Sequence, residues 1–208
     1  MLWPVLLDTA PRDTTWSLGE QVTTRLRWLD TPDLPEDLLL HQIAVQAGTL
    51  LDADGQPWAQ LIEAGGLRAL RDGDHRTGDI ALDGCPGFDA FLGIIGDLPV
   101  TVGVVRRVRV VHDLHDRGTT EWIRRPGGVR LTDVPDACPT RLRDEPSFDE
   151  PMPDDWEPEP GTVQIMSPEQ YFQLARDQLP AEQWQARGFL VDLEVAGPAL
   201  SSGNAAHH

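Results

Sequence analysis

The residues best equipped for chemistry in this chain are His112-Asp113-Leu114-His115-Asp116. Two imidazoles three positions apart could chelate a metal ion if the backbone curled, with Asp113 or Asp116 completing the shell, because imidazole and carboxylate both suit borderline cations. No distant third ligand is signalled, and a solvated polar loop accounts for the same five residues. His112, His115 and Asp116 therefore stand as weak candidates and no metal is assigned. Asp52-Ala-Asp-Gly55 opens like a calcium loop, but the later bidentate acid and the flanking helices are missing, and a tight hairpin turn explains it. Cys85 in Gly84-Cys-Pro-Gly87 and Cys138 in Ala137-Cys-Pro139 lie in turn-like sequence with no recognisable activating base, so neither is read as a nucleophile. Phosphate loops, Gly-x-Ser-x-Gly elbows and His-Glu-x-x-His motifs do not occur. No catalytic residue and no cofactor is assigned.

Charge offers a different kind of site. Arg106, Arg107, Arg109, Arg124 and Arg125 gather on what reads as one hairpin and would make a basic stripe. Against them stands the tract from Asp144 to Gly161, which holds eight acids, no base and five prolines. Like charges and missing backbone donors argue against a helix or central strand there. Phe148 and Trp156 are out of place in such a stretch and read as anchors, since aromatic side chains dominate contact hot spots. Together with Arg107, Arg109 and Arg124 they are the candidate partner-binding residues. The plain alternative is that the stripe meets the acidic tract of its own chain, arginine to carboxylate.

Over 208 residues there are 34 acids and 17 bases, a formal charge of -17, and eight of those acids lie in the tract alone. So acidic a chain repels phosphate, which argues against direct nucleic-acid binding. All 17 bases are arginine, as a GC-rich coding sequence produces without selection on function. The apolar opening Met1–Leu7 has no positive flank and stops at Asp8, so neither a signal peptide nor a membrane span is expected. Two cysteines are too few for a disulfide scaffold, which makes a reducing cytoplasm the default location.

These candidates need elements to hold them. Alternation marks strands at Val22–Trp28, at His41–Ala47 and, most clearly, at Val100–Val111, where Val102, Val104, Val108 and Val110 share a parity opposite Arg107 and Arg109. Glu121–Arg125 should return as the second arm of a hairpin whose long tip is His112–Thr120, with Pro126-Gly-Gly128 turning into Val129–Leu131. A short strand is expected at Asp79–Leu82. Trp58, Leu61 and Ile62 have helical spacing between Pro57 and Gly65-Gly66, which predicts a short helix. Ser167-Pro-Glu-Gln170 has the capping-box pattern of a helix running to about Gln178, and Pro180 begins a second helical turn that Gly188 ends. Phe189, Val191, Leu193 and Val195 then form one face of a strand. A lone strand is unstable, so this one must cross the acidic tract and join the main sheet. The expected class is mainly β, an α+β protein built on an antiparallel sheet or small barrel with one or two short helices, one near residues 168–178. Residues 1–143 form the body, 144–161 a surface loop, 162–197 the helix and strand that complete the same domain, and 198–208 a frayed tail.

Four segments in this order are Ser17-Leu-Gly-Glu-Gln-Val22, Thr101–Val111, Val129–Val134 leading to Cys138-Pro139, and Gly188–Val195. Their order resembles an uncharacterised family of actinobacterial proteins over most of the chain, through short β-rich motifs. A Trp and a Cys pair that mark the start of family members are absent here. The resemblance implies one domain, a bacterial cytoplasmic setting and a strand after the acidic segment, and it brings no function. The residues themselves point to a non-enzymatic module that binds a basic protein, with an inhibitor or immunity-type protein as its sharpest form. The competing expectation is a small-ligand binder or enzyme with its site near His112–Asp116.

Overall fold

Among the described residues, alternating apolar side chains build ten strands: β1 (Leu2–Leu7), β2 (Gln21–Thr24), β3 (Leu26–Leu29), β4 (Leu40–Leu51), β5 (Pro57–Ala64), β6 (Leu67–Arg71), β7 (Gly78–Phe88), β8 (Thr101–Arg117), β9 (Trp122–Val134) and β10 (Glu182–Val195). They belong to a computed structural model that describes residues 1–7, 15–32, 34–73, 76–89, 92, 98–139, 142, 167, 170, 172, 173, 176 and 179–197. Strand β7 pairs with β3, β3 with β6, β6 with β5, β5 with β4, and β4 returns to β7, which closes a five-stranded barrel. The protein is thus mainly β, a small barrel with additional strands.

The extra strands form a second circuit on the barrel wall. Strand β7 also takes β1 as a parallel neighbour, β1 pairs with β10, β10 with β8 and β8 with β2. Strand β2 continues through Arg25 into β3, so the one expected strand Val22–Trp28 serves both circuits, changing neighbours at a single residue. Thr101 fastens them a second time. Its buried hydroxyl accepts from the Arg68 N–H at 2.7 Å and donates to the Arg68 carbonyl at 2.8 Å, standing in for a strand neighbour. The terminal strand joins the main sheet as expected, lying between β8 and β1.

Burial follows the pleat. Trp3, Val5 and Leu7 of β1 and Phe189, Val191, Leu193 and Val195 of β10 enter the main core, with Val105, Val108 and Val110 of β8. Leu6, Cys85, Val111 and Leu190 point the other way into a smaller cluster that Leu29, Leu34 and Leu38 cover. Strand β1 from Val5 to Leu7 and β10 from Phe189 to Val191 are therefore buried on both faces, whereas Asp192 and Glu194 make the end of β10 polar on one side.

Several expectations fail for local reasons. Pro57–Ala64 is strand β5, not a helix. Gly65 and Gly66, read as a helix stop, both have positive φ (53° and 90°) and form the two-residue turn that pairs Ala64 with Leu67. With a second turn at Asp52–Gly55 the segment gains strand neighbours on both sides, whereas an eight-residue helix cannot nucleate alone. Gly84–Gly87 is not a turn but the buried half of β7. A Cβ on Gly84 would lie 2.1 Å from the Leu29 carbonyl, so glycine there admits the β3 backbone. The parity of β8 flips at a bulge between its pairings to Asp192 and Leu193, which leaves Val102 exposed and puts Val105 in the core. Glu182–Arg187, expected as a helical turn, extends β10 because β8 is long enough to pair with it.

The helix expected near 168–178 is visible in part. Gln170, Phe172 and Gln173 are helical, and the capping box forms: the Gln170 N–H donates to Ser167 Oγ at 3.3 Å and the Ser167 N–H to Gln170 Oε1 at 3.0 Å. The acidic tract 144–161 and the tail 198–208 lie outside the described residues.

Candidate protein interaction surface

His112–Asp116 is not a hairpin tip. It belongs to β8, which runs on to Arg117, and the turn is only Gly118–Glu121. A polar sequence can continue as strand because its carboxylates meet arginines on the neighbouring strands. Asp113 is buried, its side chain 3% exposed, and Arg124 holds it with both Nε and Nη2, at 2.8 and 2.9 Å. Arg187 from β10 adds a third contact at 3.5 Å. Asp116 accepts from Arg125, which also reaches Glu182 at 2.7 Å. Pro126-Gly-Gly128 is a bulge inside β9, since Asp113 and His115 of β8 face Val129 and Arg124 of β9, and this brings Arg124 and Arg125 level with those acids.

Nearer the body the same logic holds. Arg107 makes a fork to Asp133 at 2.6 and 3.0 Å, Arg109 pairs with Asp192 at 2.5 Å, and Arg106 pairs with Glu194 through Nε at 2.5 Å. Among these, Arg109 is the buried one. Hydrogen bonds to the guanidinium groups hold the Asp116 and Asp133 carboxyls below their usual range, and raise Arg107 and Arg125 in return. Each arginine of the expected basic stripe therefore faces a carboxylate on a neighbouring strand of the sheet.

The three metal candidates do not converge. Asp116 is turned to Arg125, His115 places Nδ1 3.2 Å from the Asp113 carbonyl, and His112 sits opposite Arg130 on β9. Among the described residues no group of three or more His, Cys, Asp or Glu side chains is arranged to hold a metal ion. Asp52 is a turn residue whose Oδ1 accepts from the N–H groups of Asp54 and Gln56. Cys85 is buried in the smaller core, and Cys138 is partly exposed. A cleft of about 430 Å³ is lined by Leu6, Arg27, Trp28, Asp30 and Asp72, and none of these candidates lines it.

Described residues on either side of the acidic tract contact the folded body. Before it, Leu142 packs against the main core. After it, Phe172 is buried against Trp122 of β9, ring edge to face at 5.8 Å, and Arg117 of β8 donates to the carbonyls of Arg176 and Leu179. Sequence reasoning missed Arg117 and Trp122, whose partners lie some fifty residues or more away along the chain. Phe148 and Trp156 lie outside the described residues.

Compared with protein-family models, with curated proteins and with solved structures, the chain matches none. No helix among the described residues is long and apolar enough to cross a membrane.

Proposed function

We propose that this protein is a non-enzymatic interaction module whose acidic tract, residues 144–161, engages a basic protein, with an inhibitor or immunity-type role as the sharpest form. The observation that supports this reading is the pairing of the hairpin arginines. Arg106, Arg107, Arg109, Arg124 and Arg125 already face Glu194, Asp133, Asp192, Asp113, and Asp116 with Glu182. The eight acids of the tract are not required to neutralise these five arginines, and so dense a run of carboxylates suits an outside cation-rich surface. Arg107, Arg109 and Arg124 stay in the proposal as contacts beside the tract, which carries the main role with Phe148 and Trp156 as its apolar anchors.

A bacterial cytoplasmic setting and kinship with the uncharacterised actinobacterial family belong to the same proposal. The first is supported by the scarcity of cysteine, the second by the order of the four matching segments. A salt-dependent pull-down is the test. The full chain should retain a basic protein from its native lysate at low salt and release it at high salt. A variant with the eight acids changed to Asn and Gln should retain none. Capture that is indifferent to salt, or equal with the variant, would sink the proposal.

A further inference from the structure

We propose that His112 and Arg130 form an acid-sensitive latch between β8 and β9, closed while the imidazole is neutral and opened when it takes up a proton. His112 and Arg130 are register partners in an antiparallel pair. Side chains so placed lie on one face of the sheet with their Cβ atoms about 5 Å apart, where like charges destabilise the pairing. His112 is half-buried and its Nδ1 is enclosed without a hydrogen-bond partner, so a proton there would gain little from water. Arg130 is exposed, and its guanidinium lies over the Trp184 ring of β10 at 4.6 Å. One guanidinium thus bridges three strands, spanning β8 from β9 to β10.

No carboxylate among the described residues faces the imidazole to compensate a charge on it. From β10 the residue opposite is Ala186, with Trp184 beside it, and Arg187 is turned to Asp113. On its own strand Val110 and Leu114 share its face and are buried, while Asp113 points to the other face and is held by Arg124. Burial, and after it the Arg130 charge, push the His112 pKa down against the pull of the Arg130 backbone. The sign follows from linkage. A depressed histidine favours the closed form above its ordinary pKa of 6.5, and that contribution is lost as pH falls below it.

The latch is read by NMR on the full chain, following the indole N–H signals of Trp184 and Trp3 from about pH 8 to about pH 5, the range in which histidine changes charge. Trp184 should shift along a single titration as Arg130 leaves its ring. Trp3, fully buried in the main core, should stay in place. His112→Gln and Arg130→Gln should each abolish the Trp184 titration, and His115→Gln should leave it intact. A Trp184 signal that does not move, that still titrates in His112→Gln, or that is silenced by His115→Gln would overturn the latch. Arg130→Gln alters only an exposed side chain, which provides a folded variant if His112→Gln fails to fold.

Discussion

Asp113 is where a single atom-scale change has the largest consequence. Its carboxylate is buried between Arg124 and Arg187, and removing one partner of a buried charge group leaves the others uncompensated. Asp113→Asn should cost about 3–5 kcal/mol in urea denaturation, the range measured for broken buried pairs. Arg107→Ala, which breaks an exposed pair with Asp133, should lower the midpoint only slightly. The depressed Asp116 and Asp133 carboxyls stabilise the fold above their ordinary pKa of 3.8, and that contribution fades as pH falls below it. Acid titration of stability should therefore be shallower in Asp133→Asn than in the parent chain. The residue types at 112–116 were legible as a charged cluster, but their roles were not. A polar run reads as loop unless the arginines that neutralise it can be placed, and Arg124 and Arg187 come from two other strands.

At the scale of elements, Thr101 and Gly66 test how the two strand circuits are joined. Thr101→Val keeps the shape of the side chain and leaves the Arg68 N–H and carbonyl without that partner. A loss of about 1–3 kcal/mol is expected, read by thermal or chemical unfolding. Gly66→Ala should cost at least as much, because its Cβ would lie 2.0 Å from the Ala196 carbonyl and its φ is 90°. Strands with clean alternation, such as Phe189–Val195, were legible with their buried face, and the Ser167 capping box was legible as a helix start. Strand β5 was not, since Trp58, Leu61 and Ile62 fit helical spacing as well as a strand buried unevenly on both faces. The choice was made by Gly65-Gly66, a signal shared by helix ends and hairpin turns. The bulges at Arg106 and at Arg125–Gly128 were equally hidden, because an added residue changes the face of everything beyond it without changing composition.

The whole molecule depends on its last strand. Strand β10 lies between β1 and β8 and contributes Phe189, Val191, Leu193 and Val195 to a core shared with the barrel. A fragment ending at residue 143 should fail to fold, seen as collapsed dispersion in its amide NMR spectrum. A well-dispersed spectrum would show that the barrel is self-sufficient. Strand β1 is synthesised first and cannot complete its pairing until β10 exists, so the most distant contacts in sequence lie at the centre of the sheet. Loop-closure entropy makes such a topology slow to assemble. The antiparallel register sets Leu2 beside Glu194, so a short turn could join the two ends of the sheet. A circular permutant joined there and opened within residues 144–161 would turn that distant pair into a local hairpin. It should refold faster than the parent while keeping the same β-sheet signature in circular dichroism.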